Sequence, residues 1–227
     1  MATSSSEASL QPVAPSVTAA GHYHAVRFYE GEKSLAQITA KFLVEGLADH
    51  HPAIVVATPS MRAALIIELT TQAFDVVELQ RSGELVLLDA KDLLSTFMID
   101  GKPQPVKFND MMCAVIDQAC HGRSYCKVRI FGQMVDVLWR EGQHEAAIQL
   151  EMLWNHLARN QAFSLLCGYA MGNFYKDANF EEICGQHSHV VAADGHAKPV
   201  ESRRSATFRE PAERASDSSR RSRKAQG

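Results

Sequence analysis

Two rhythms of apolar and polar positions alternate along residues 22–190. Ala53-Ile54-Val55-Val56-Ala57 and Leu85-Val86-Leu87-Leu88 are apolar at every position, the pattern of strands buried on both faces. Residues 24–29, 126–131 and 163–169 read as three further strands. Between them the period lengthens: Leu35, Ile38, Phe42 and Leu43 form a helical stripe within residues 34–48. The same reading predicts helices over 61–73, 91–98, 106–120, 133–140, 144–160 and 179–186. Thr58-Pro59-Ser60 closes the second strand and supplies a cap for the helix after it. Strands separated by helices require parallel crossovers. The expected fold is therefore α/β: a three-layer α/β/α domain with a mostly parallel central sheet of about five strands.

The flanks do not share this pattern. Residues 1–21 are a Ser-, Ala- and Pro-rich leader, expected to be disordered, with neither the basic start nor the apolar stretch of a secretion signal. Residues 191–227 have almost no large apolar side chains and read as a disordered basic tail carrying Arg203-Arg204, Arg220-Arg221 and Arg223-Lys224. The tail holds 9 basic and 5 acidic residues, against 14 and 21 in the rest of the chain. An acidic body matches nucleic acid poorly, so direct nucleic-acid contact is expected at most from the tail. No apolar run approaches the roughly 18 residues that span a bilayer, so no membrane partner is expected and the cytoplasm is the default compartment. The cysteines, Cys113, Cys120, Cys126, Cys167 and Cys184, are odd in number and lack CxxC spacing; they read as reduced thiols.

Candidate chemistry concentrates where strands end. The run Arg129-Ile130-Phe131-Gly132-Gln133-Met134-Val135 passes from strand through glycine into helix, which places its end at the sheet's carboxyl edge, where ligands of open α/β sheets bind. The predicted strand ends bring Phe28, Tyr29, Glu30, Thr58, Asp89, Phe131, Gly132, Gln133 and Tyr169 to that edge, an aromatic lining with a few polar groups. Lys33-Ser34 matches the end of a Walker A loop, but Glu32 and Arg27 stand where its glycines belong. Asp89 reads as a helix cap rather than a catalytic carboxylate. His22, His24, His187 and His189 form two alternate-position pairs; His187 and His189 are the candidates a metal would use. No Cys or carboxylate joins them at ligand spacing, so no metal and no cofactor is expected. No serine stands on a nucleophile elbow and Cys167 lies within a strand, so the chain is not expected to be an enzyme. Trp139 and Trp154 read as core. Glu151 and Asn155, one helical turn apart, form a local polar pair or a partner surface.

In order along the body, the segments starting at His24, Ile54, Leu85, Phe97, Arg129, Leu150, Phe163 and Ile183 resemble the MEDS domain, the sensory domain of DcmR-like regulators of methanogens and methylotrophs. The resemblance implies a RecA/KaiC-like fold without a functional P-loop; Arg129, at the head of the Arg129–Val135 segment, is counted with the ligand-binding set. It also implies sensing of a small organic molecule beside kinase, anti-sigma or DNA-binding modules. Gln133 departs from it, because Glu is common there in the family. The expectation is a non-enzymatic sensory module, residues 22–190, that binds a small organic ligand. It would signal through a regulatory partner (a kinase, anti-sigma factor or transcription regulator), an oligomer or the tail. Two alternatives stand beside it: a degenerate RecA-like nucleotide-binding protein, with Lys33, Ser34 and Asp89 as remnants, and a ligand-free interaction regulator marked by exposed apolar side chains on the last two helices.

Overall fold

A computed structural model of the chain describes residues 23–121, 123, 126–172 and 179–200. The leader, His22 and the arginine pairs of the tail lie outside the described residues. Strand β1 (His24–Tyr29) leads into helix α1 (Glu32–Leu47), followed by β2 (Ala53–Ala57), α2 (Pro59–Thr71), α3 (Val76–Ser82) and β3 (Leu85–Asp89). Next come α4 (Ala90–Phe97), the short strands β4 (Met98–Ile99) and β5 (Lys102–Pro103), and α5 (Pro105–Cys120). The second half holds β6 (Val128–Gly132), α6 (Met134–Arg140), α7 (His144–Leu157), β7 (Phe163–Ala170), α8 (Asn179–Gln186), β8 (His189–Val191) and β9 (Ala197–Pro199).

Seven strands form one sheet in the order β3-β2-β6-β7-β1-β8-β9, and every pairing is parallel except β8 with β9. The five strands expected from the apolar runs lie side by side as β3-β2-β6-β7-β1, and β8 extends this parallel run by one strand. The sheet continues beyond the boundary drawn at residue 190. Val191 is buried and its carbonyl accepts a hydrogen bond from Arg27 Nη1, although the segment is too short and polar to show a strand period. The β4–β5 hairpin turns through Asp100 and Gly101, both at positive φ, the geometry of a two-residue hairpin loop.

Successive strand residues point to opposite faces. Ala25, Tyr29, Val55, Phe131 and Leu166 pack under α1, α2 and α3. Val26, Phe28, Ile54, Ile130, Leu165, Cys167 and Tyr169 pack under α4 to α8, around Trp154. Trp139 and Trp154 are both core. Local chemistry sets the helix starts. Thr58 accepts from the Met61 amide with Pro59 at the first helical position, Asp75 accepts from Glu78, and Asp89 accepts from Lys91 and Asp92. Gly46 lets α1 approach the sheet: a Cβ there would stand 2.6 Å from Arg129 Cγ. The cysteines differ from expectation. Cys120 and Cys126 are disulfide-bonded, because the end of α5 returns toward β6 and brings their Cα atoms to 5.7 Å; Cys113, Cys167 and Cys184 are free thiols.

Candidate functional site

At the carboxyl edge, β1, β6 and β7 end side by side and α6 starts above them. Asp136, in the first turn of α6, is 1% exposed and ties these ends together. Its Oδ2 accepts from Tyr29 Oη at 2.8 Å and pairs with Arg140 Nε at 3.0 Å; its Oδ1 accepts from the Ala170 amide at 2.8 Å. Gln133 is fully buried beside it. Its Oε1 accepts from both the amide and the hydroxyl of Thr58, and its Nε2 donates to Tyr29 Oη at 3.3 Å and faces Asp136 Oδ2 at 3.5 Å. Arg140 also donates to Tyr29 Oη, and its half-exposed side chain is the group of this network that reaches solvent furthest. Burial pushes the Tyr29 phenol well up, and the Asp136 carboxylate adds to that. Burial pulls Arg140 down, but Asp136 and Tyr29 outweigh it and raise the guanidinium. The network is a closed set of satisfied bonds that locks three strand ends to one helix.

Only part of the expected lining meets here. Tyr29, Thr58 and Gln133 join the network and Gly132 adjoins it, while Phe131 is sealed beneath α1 to α3. Phe28 and Tyr169, partners in register, point to the opposite face from Tyr29, as the pleat requires. Glu30 is exposed. Asp89 stands four strands away from β1, capping α4 and pairing with Arg62 at 2.8 Å. Arg129 lies at the start of β6, not at its end; it pairs with Glu45 and covers the Phe42 ring. Position at an edge was legible, but which face each side chain took was not. Asp136 and Arg140 were missed, although positions 133, 136 and 140 share one helical face. Only Glu30 and Gly31 separate β1 from α1, so there is no room for a phosphate-wrapping loop before Lys33.

A second polar cluster lies on the other face, beneath α7 and α8. His24 of β1, Cys167 of β7, Glu151 of α7 and His187 just after α8 are all buried, and their ligating atoms lie within 4.8 Å of one another. The histidine pairs seen in the sequence thus contribute one member each, while His189 stacks on Tyr23 instead. Glu151 and Asn155 form neither a local pair nor a partner surface, because both reach inward to His24. Burial works to raise the Glu151 carboxyl, but His187 and His24 hold it well below the usual carboxylate range. Burial pushes the Cys167 thiol and the Tyr169 phenol up.

Away from both clusters, a cleft of about 370 Å³ opens between α6, α7 and α8, lined by Trp139, His144, Ile148, Met152 and Glu182 among others. Exposed apolar side chains on the last two helices are Met152, 56% exposed, and Phe180, 40% exposed.

Comparison with protein families matches residues 23–188 to the MEthanogen/methylotroph, DcmR Sensory domain model. The chain belongs to the MEDS family. No curated protein matches this MEDS chain. Among solved structures, a KaiC-like protein from Pyrococcus horikoshii OT3 is similar at 13% identity and a TM-score of 0.48, over 74% of this chain and 70% of that one. The three-layer class rests on the sheet and its flanking helices. No helix among the described residues is long and apolar enough to cross a membrane.

Proposed function

We propose that this MEDS domain is a non-enzymatic sensory module that binds a small organic ligand and passes its state to a regulatory protein partner. The family match over residues 23–188 carries the sensory role. The cleft between α6, α7 and α8 supports the ligand: its volume, near the lower end of the ligand-pocket range, and its Trp139, Ile148 and Met152 lining suit a small apolar molecule, with His144 and Glu182 to orient a polar group. The satisfied Tyr29–Gln133–Asp136 network serves instead as the rigid support from which α6 presents Trp139. α7, between cleft and core, is the element through which occupancy reaches a partner. The chemistry favours neither a nucleotide, for want of a phosphate loop, nor an enzyme, since the edge network offers no nucleophile beside open space.

The test is a thermal-shift screen of the full chain against short alcohols, carboxylic acids and halogenated alkanes. A ligand at about 100 times its dissociation constant stabilises the native state by about 2.7 kcal/mol. That shift is expected to vanish in Met152→Glu and to persist in Gln133→Ala; the reverse pattern would move the site to the carboxyl edge. A ligand-free interaction regulator is the second reading, favoured by exposed Met152 and Phe180 on α7 and α8. It predicts no shift with any compound and loss of partner binding in the same Met152→Glu variant.

A further inference from the structure

We propose that His24, Glu151, Cys167 and His187 form a binding site for a divalent, borderline-soft transition metal of the zinc class. The argument starts from where their protons are. Asn155 Nδ2 donates to the Gln186 carbonyl at 2.9 Å, which leaves its Oδ1 to accept from His24 Nδ1 at 2.9 Å. The Ile183 carbonyl likewise takes His187 Nδ1 at 2.7 Å. With both Nδ1 atoms held as donors, both Nε2 atoms turn toward Glu151 and Cys167. A neutral imidazole offers a lone pair there, and two lone pairs, a carboxylate and a thiol converge on one buried point.

With both imidazoles neutral, their lone pairs repel the carboxylate and only the Cys167 thiol, 3.5 Å from Glu151 Oε2, has a proton to offer; a cation at the centre would draw all four groups together. Buried His187 Nε2 lies 3.4 Å from Glu151 Oε1 yet has no hydrogen-bond partner among the described residues. Outer contacts orient three of the four ligands as metal sites do: a carbonyl or amide oxygen on the second nitrogen of each histidine, and Tyr169 Oη donating to Glu151 Oε1 at 2.9 Å. Distances among three of the four ligand atoms agree as well. Tetrahedral bonds of about 2.0–2.3 Å put ligand atoms roughly 3.3–3.7 Å apart. Here His24 Nε2 is 3.2 Å from Glu151 Oε2, and Cys167 Sγ is 3.5 Å from each of those atoms.

The charge balance closes too. Metal binding releases the Cys167 thiol proton to solvent, so thiolate and carboxylate together neutralise a dication while both imidazoles remain neutral. Two nitrogens, one sulfur and one oxygen in a tetrahedral arrangement select zinc, or cobalt as its surrogate, over magnesium or calcium. Four protein ligands leave no open position, which makes the site structural rather than catalytic. It would clamp α7 and the end of α8 onto β1 and β7, independently of what occupies the cleft.

The test is metal analysis of the full chain, followed by titration of the metal-stripped protein with cobalt(II). The expected result is one equivalent of zinc per chain and a thiolate-to-cobalt charge-transfer band. Cys167→Ser should abolish the band, and Cys113→Ser and Cys184→Ser should leave it. His187→Gln should weaken cobalt binding at least about tenfold. Circular dichroism of each stripped variant separates loss of a ligand from loss of fold; where Cys167→Ser does not fold, the His187→Gln titration decides. Substoichiometric metal in a folded wild-type chain that also gives no band with cobalt would overturn the proposal in favour of a cluster held by protons alone. A band that survives Cys167→Ser, or is lost in Cys184→Ser, would overturn it equally.

Discussion

Gln133 shows how much one atom decides at the carboxyl edge. Its Nε2 faces Asp136 Oδ2 at 3.5 Å, so Gln133→Glu would set a second carboxylate against the first. Two carboxylates that close do not both ionise, and the introduced group would hold its proton to a higher pH when folded than when unfolded. The sign follows. Near pH 4 and below, where the glutamate is protonated in both states, the variant is expected to be nearly as stable as the parent. The penalty then grows as pH rises through the raised folded value and levels off above it. A rise of two units corresponds to about 2.7 kcal/mol, part of which Arg140 offsets. Urea unfolding of parent and variant across this range measures it, and a difference that did not change with pH would disprove the like-charge account. The resemblance marks residue 133 as the point where the chain departs from the family, but only the structure shows that the group facing Asp136 Oδ2 there is an amide donor. Asp136 was unreadable in the sequence because an acid in a first helical turn is ordinary on dipole grounds alone.

At the scale of elements, the long apolar runs were legible because strands buried on both faces leave no polar rhythm to confuse them. What escaped was α3, whose seven residues hold one buried side chain, and the β4–β5 hairpin, β8 and β9, each with too few residues to establish a period. The last pair matters most. β8 covers the outer side of β1 through Ala25 and Val26, and the Ser188 amide donates to the His24 carbonyl. A chain ending at Ser188 would leave β1 as a bare apolar edge, a template for intermolecular pairing. It is expected to aggregate and melt earlier than a chain ending at Val200; light scattering and thermal unfolding compare the two, and equal behaviour would show that β8 and β9 do not protect the sheet. The metal-type cluster was invisible for a related reason. His24, Glu151 and Cys167 sit on three elements and His187 just after a fourth, and no spacing rule links residues that only a sheet order with β1 beside β7 brings together.

For the molecule as a whole, the sheet divides the interior into two cores that share every central strand. Trp154 anchors one, in edge contact with Phe108 and Phe163; Leu69 is fully buried in the other. Truncation to alanine is expected to cost about 3–5 kcal/mol at Trp154 and about 2–5 kcal/mol at Leu69. Because strands are common to both cores, each variant should lower a single unfolding transition rather than split it. Two transitions in either calorimetric trace would mean that the faces melt separately. The same sharing sets a timetable on the ribosome. β1 is made before its neighbour β7, which pairs Leu165 with His24 from about 140 residues downstream. At about 5–20 residues per second, translation leaves the nascent first strand without that neighbour for roughly 7–30 s. For that interval Val26 and Phe28 have no sheet to enter, and the newborn chain is a client for whatever holds apolar segments apart in the cell.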